Sequence, residues 1–123
     1  MTPSEIVTAL VLACERRDID AVLALVTDDI EYDNVPIGKA YGPEGVRTVL
    51  TGGITQAAER IEWVVLNQVA AGDTVMNERV DRFLVNGVWI EIPIAAVFRI
   101  RDGRVCLWRD YFDLETYRRQ RPA

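Results

Sequence analysis

The sequence predicts an α+β fold, with helices first and then a curved, mostly antiparallel sheet wrapped around them, leaving a pocket between. Two observations carry that expectation. Up to Leu50 the apolar residues recur mainly at helical spacing, whereas from Ile61 onward they alternate as in strands. The alternating segments are joined by short turn signals, including Asn86-Gly87 and Asp102-Gly103.

Thr2-Pro3-Ser4-Glu5 starts the first helix, because Thr2 can cap, Pro3 suits the first helical position and Glu5 completes a capping box. Ile6, Leu10 and Ala13 line one face of it, with Val7, Val11 and Cys14 beside them, so a broad face is buried. Asp18 caps a second helix carrying Ile19, Val22, Leu23 and Val26. Ile30 to Val35 reads as a short strand ended by Pro36. Gly42-Pro43 opens a third helix with Val46, Val49 and Leu50, and Gly52-Gly53 stops it.

Strands follow over Ile61 to Ala71, Thr74 to Val85 and Val88 to Arg101. The last of these puts Val88, Ile90, Ile92, Ile94, Ala96, Phe98 and Ile100 on one face, and Pro93 predicts an edge or a bulge. After Asp102-Gly103 comes a final strand with Val105 and Leu107 on one side and Cys106, Trp108, Asp110 and Phe112 on the other. Asp113 can cap a last short helix through Tyr117.

At 123 residues the chain has the size of a single domain, residues 1–123, able to bury a core without staples. The net charge of −5 makes nucleic acid and anionic lipid poor partners. No stretch reaches the length of a membrane span, and the N-terminus lacks a signal-peptide pattern, which predicts a cytoplasmic protein. Cys14 and Cys106 lie far apart in apolar patterns and read as buried free thiols. There is no histidine, which excludes Ser-His-Asp and Cys-His nucleophile systems and histidine-based zinc sites. Acid–base chemistry must then rest on Asp, Glu, Lys, Tyr or Cys.

Three segments set polar groups on otherwise apolar faces. Asn77, Arg79 and Asp81 share a strand face with Val75 and Phe83; Tyr32 and Asn34 share one with Ile30; Asp110 falls between Trp108 and Phe112. Each alone has an ordinary reading: a same-strand surface ion pair, a strand end before a proline, or a partner for Arg109. Together they form an inventory for water activation with acid catalysis. One carboxylate can take a proton from water, Tyr and Asn can hold that water, a second carboxylate can deliver a proton, and an Arg can bridge both.

The same pieces resemble the limonene-1,2-epoxide hydrolase family: Tyr32-Asp33-Asn34 with Ala40-Tyr41-Gly42, then Asn77-Glu78-Arg79-Val80-Asp81, then Trp108 to Asp113, in the family order over roughly Ile30 to Asp113. The resemblance implies a cone-shaped, cystatin-like or SnoaL-like fold with a deep apolar pocket, a homodimer, no cofactor and no metal. It also implies a small or medium apolar epoxide and water as reactants. Asp81 would then be the general acid, Asp110 the base, Arg79 the bridge, and Tyr32 and Asn34 the holders of water. Strand parity adds Phe83, Ile92, Ile94, Trp108 and Phe112 as candidate substrate-binding residues, with plain core packing the alternative for some of them. The short N-terminus departs from the family and predicts a pocket more open on that side. The fold also hosts ketosteroid isomerases, polyketide cyclases and non-catalytic ligand-binding modules, so the fold class alone leaves those readings open.

Overall fold

The structure is a computed structural model and describes residues 1–121. Helix α1 (Pro3–Glu15) begins with the expected capping box: Thr2 accepts from the Glu5 backbone N–H, and the Glu5 side chain accepts from that of Thr2. Ile6, Val7, Leu10, Val11, Ala13 and Cys14 are all buried. Helix α2 (Ile19–Ala24) is capped by Asp18, whose side chain accepts from the Ala21 N–H. It ends before Val26, which instead opens strand β1 (Val26–Asn34). The cause is non-local: the Val105 N–H donates to the Leu25 carbonyl, and Val26 pairs with Val105.

Strand β2 (Gly38–Tyr41), absent from the sequence reading, folds back on β1. It leads into α3 (Gly42–Leu50) through Gly42 at φ +70°, where an added Cβ would lie 3.3 Å from the Asp28 carbonyl oxygen. Gly53 has φ +54° and opens a second unforeseen element, the short helix α4 (Gly53–Ala57). The strands β3 (Arg60–Ala71), β4 (Thr74–Val85), β5 (Val88–Arg101) and β6 (Arg104–Tyr111) follow as a meander. Both predicted tight hairpins have positive φ at their two central residues, Asn86-Gly87 and Asp102-Gly103, as the primed turns that match strand twist require. Helix α5 (Leu114–Gln120), capped by Asp113, runs past Tyr117.

The six strands form one curved sheet in the order β2-β1-β6-β5-β4-β3. All pairings are antiparallel except β1 with β6. The expected inward face of β5 is buried from Ile90 to Ile100. Pro93 sits opposite Val80 in an unbroken register, so there is no bulge there. Its ring nitrogen has the strand parity of Glu91, whose N–H points away from β4 to the Gln120 side chain. Pairing with β6 starts only at Ala95, so Pro93 occupies a local edge and interrupts no ladder.

Strand β6 departs from simple alternation. The register shifts between the Arg99–Leu107 and Ile100–Val105 pairs, leaving Cys106 as the extra residue. Val105 is thereby buried with Trp108 instead of sharing a side with Leu107. Cys106 is not the buried thiol expected; it is partly exposed, with its Sγ 3.5 Å from the Arg99 carbonyl oxygen. Cys14 is buried, and burial pushes its thiol well above the ordinary range. Among the described residues no helix is long and apolar enough to cross a membrane.

Candidate active site

Strand β4 carries the centre of the site. Its alternation turns Val75, Asn77, Arg79, Asp81 and Phe83 inward together, and all five are buried. The Arg79 side chain is fully enclosed, and all three of its guanidinium nitrogens donate. Nε reaches Asp81 Oδ1 at 2.9 Å and Nη2 reaches Asp81 Oδ2 at 3.1 Å, a forked pair that only a planar guanidinium can make. The same Nη2 reaches Asp110 Oδ2 at 3.1 Å, and Nη1 reaches Asn77 Oδ1 at 3.2 Å. The guanidinium lies 4.9 Å from the Trp63 ring, an attraction worth about 2 kcal/mol when desolvated.

Asp110 comes from β6 and accepts on both oxygens, from Arg79 on Oδ2 and from the Trp108 indole N–H on Oδ1 at 3.0 Å. Parallel pairing sets Asn34 of β1 opposite Asp110 and Tyr32 opposite Trp108. Tyr32 stacks on the Trp108 ring with centroids 3.9 Å apart. Arg109 points to the other face of the sheet and pairs with Asp33 and Glu31, so it is no partner for Asp110.

The electrostatics separate the groups. Burial raises the Asp81 carboxyl to about 6, against the opposing pull of Arg79 and with a smaller push from Asp110. Arg79 stays charged: burial pulls its pKa down, but Asp110 and Asp81 outweigh it and the net shift is upward. Burial, with Asp110 nearby, pushes the Tyr32 phenol well up, so at neutral pH it is a neutral donor and acceptor.

A cavity of about 290 Å³ opens above these groups. Tyr32, Asn34, Asp81 and Asp110 all line it, and Arg79 lies behind the two carboxylates. Phe83, Ile92, Ile94 and Phe112 line it as strand parity predicts. Trp108 does not; it is 1% exposed and sits beneath Tyr32, holding Asp110 from below. Missing from the sequence reading are Trp63 and the rim supplied by Ile37, Val49, Ile54 and Tyr117. Counting back from the Ala71–Thr74 turn would set Val64 opposite Asp81; a bulge at Leu66 shifts the β3–β4 register by one and turns Trp63 inward beside Asp81 instead. The rim residues belong to loops and helices whose approach to the sheet leaves no mark in strand periodicity. Among the described residues no cluster of three His, Cys, Asp or Glu side chains is placed to hold a metal ion.

The chain is 32% identical over 108 residues to the epoxide hydrolase EphG of Mycobacterium tuberculosis, covering 88% of this chain and 71% of that protein. The solved structure of an LEH-like epoxide hydrolase from M. tuberculosis superposes with a TM-score of 0.81 at 29% identity, over 96% of this chain and 87% of that one. Two further structures share the fold at lower identity. One is a protein of ketosteroid isomerase-like fold from Catenulispora acidiphila, with a TM-score of 0.81 at 24% identity, covering 94% of this chain and 91% of that one. The other is an NTF2-like protein of unknown function from Burkholderia pseudomallei, with a TM-score of 0.85 at 20% identity and full coverage of both chains. The fold is therefore the cone-shaped α+β fold of these proteins. A sequence model of the limonene-1,2-epoxide hydrolase catalytic domain matches residues 1–122, and the chain belongs to the limonene-1,2-epoxide hydrolase family.

Proposed function

We propose that this protein opens a small or medium apolar epoxide, terpene-like, cyclic or lipid-like, to a vicinal diol by direct attack of water. The observation that carries the reading is a pair of buried aspartates sharing one guanidinium nitrogen at the floor of an apolar cavity. Water held by Tyr32, Asn34 and Asp110 attacks an epoxide carbon and gives its proton to Asp110. The carbon–oxygen bond breaks as that oxygen takes the proton of Asp81. One negative charge thus passes from Asp110 to Asp81. Both are hydrogen-bonded to Arg79 Nη2, so the buried site never has to separate new charge. A carboxyl pKa of about 6 suits the acid, because it lies near neutral pH and can both hold and release a proton. No cofactor enters this scheme. The cavity volume is at the lower end for small-molecule sites and matches a compact substrate.

The absence of histidine favours direct attack over a covalent ester, since the usual base for hydrolysing an aspartyl ester is missing. The test is a panel of cyclic and aliphatic epoxides, followed by a single turnover in oxygen-18 water with enzyme in excess. The expected result is diol labelled in that first turnover. Unlabelled diol with label on Asp81 or Asp110 refutes direct attack. Tight binding of an epoxide without diol from any of them refutes the hydrolase and favours a binding module.

The working unit in this proposal is a homodimer joined through the outer face of the sheet. Val64, Val69 and Met76 are exposed there on β3 and β4, and Tyr111 of β6 is exposed on the same face across Ala95 of β5. Apolar side chains grouped on one sheet face are a feature of association surfaces. Sedimentation velocity should give twice the 13.9 kDa chain mass, and Met76→Glu should shift it toward the monomer. A wild-type monomer at micromolar concentration rules this out.

A further inference from the structure

We infer that Asn77 and Gln68 are positioning residues, which hold the Arg79 guanidinium in register with both aspartates through a directional chain of amide hydrogen bonds anchored on α1. This rests on the hydrolase reading for its activity arm only.

The chain runs in one sense. Arg79 Nη1 donates to Asn77 Oδ1 at 3.2 Å, and Asn77 Nδ2 donates to Gln68 Oε1 at 3.2 Å. The two hydrogens of Gln68 Nε2 are then shared among three acceptors on α1, the Ser4 carbonyl oxygen at 3.0 Å, Ser4 Oγ at 2.7 Å and Thr8 Oγ1 at 3.1 Å. Its polarity is set at both ends. A guanidinium can only donate, and a backbone carbonyl can only accept. Between two such ends each amide has one satisfied orientation. If either amide turned over, a donor would face a donor or an acceptor an acceptor. Asn77 is 5% exposed, so a mismatch there would be buried and costly.

The consequence falls on the reacting groups. The fork from Nε and Nη2 fixes Arg79 to Asp81, yet β4 alone provides both partners, and a two-point contact can still rock. Asn77 grips the remaining nitrogen and ties it, through Gln68, to the first two turns of α1. That third point fixes where Nη2 meets Asp110 on β6. A displacement of about 1 Å in a catalytic group can cost about 10²-fold in rate.

The test uses three variants of the full chain. Asn77→Leu keeps the size of the side chain and removes its amide; kcat should fall about 10²-fold with KM little changed. Gln68→Leu, at a half-buried position, should lower kcat by a smaller factor because the Asn77 amide is freed to turn. Asn77→Asp adds a third carboxylate on Arg79, which makes ionisation of Asp81 harder and should move the limb of the pH profile that Asp81 sets to higher pH. A second readout needs no turnover: carbon-13 titration of the Asp81 carboxyl, and the nitrogen-15 signal of Arg79 Nε. The titration should move upward in Asn77→Asp, and the Arg79 signal should broaden or exchange faster in Asn77→Leu and Gln68→Leu. Unchanged kcat, pH profile and NMR signals in variants that remain folded overturn the inference. A wild-type protein that opens no epoxide overturns the hydrolase reading instead, and the NMR arm then decides the positioning role by itself.

Discussion

Asp110→Asn and Asp81→Asn should each lower turnover by about 10²–10⁴-fold, the usual contribution of a group that moves a proton in the transition state. The variants should differ from wild type in stability as well. Both Asp110 oxygens accept from obligate donors, Arg79 and the Trp108 indole, and both Asp81 oxygens accept from Arg79. Asparagine offers one acceptor and one amino group, so either variant leaves one buried donor facing another, at about 1–3 kcal/mol. The pH dependence identifies the acid. A carboxyl raised to about 6 is protonated below that pH, so activity that needs the acid form is present there and declines as pH rises through it. In wild type, kcat/KM should fall tenfold for each unit well above about pH 6. The residual activity of Asp81→Asn should lose that limb. A wild-type profile flat from neutral to alkaline pH, or near-normal turnover in either variant, removes the corresponding aspartate from the mechanism.

Arg79→Lys should lose activity by at least about 10²-fold, although the charge is conserved. A lysine ammonium is a point charge on a flexible stem and cannot form the planar fork to Asp81 while also reaching Asp110 and Asn77. Stability should change modestly, since the two carboxylates keep a cation between them. Arg79→Leu is the contrasting variant. It removes the cation from a site where Asp81 and Asp110 are 3% and 2% exposed, and breaking a buried pair in this way costs about 3–5 kcal/mol. Urea denaturation of the two variants separates the charge from the geometry. If Arg79→Lys turns over substrate at the wild-type rate, the fork has no catalytic role and Arg79 is an ordinary neutralising charge.

The legible parts of this protein are those that depend on neighbours in the chain. The capping box of Thr2 and Glu5 and the positive-φ turns at Asn86-Gly87 and Asp102-Gly103 follow from contacts a few residues apart, and the face that α1 buries follows from its helical period. Strand parity did the same for the site. A period of two puts Asn77, Arg79 and Asp81 on one face of β4 whatever the sheet does around them. Parity failed where the backbone left its period, at the Cys106 bulge, which turned Val105 inward and left the thiol partly exposed.

The tertiary structure decided what parity cannot rank, namely depth. Trp108 and Phe112 have the same parity, yet only Phe112 reaches the cavity, because β1 pairs in parallel with β6 and lays Tyr32 over the Trp108 ring. Residues far apart in sequence make that pairing, and no local pattern encodes it. The same holds for Ile54 of α4 and Tyr117 of α5, which close the cavity from helices whose docking depends on the finished sheet. Away from the bulges, the sequence by itself determined which strand side chains face inward and which chemistry they can support. Only the folded chain decided which of them meet one another and which meet a substrate, because those contacts are set by strand order and packing depth between segments that no short-range preference connects.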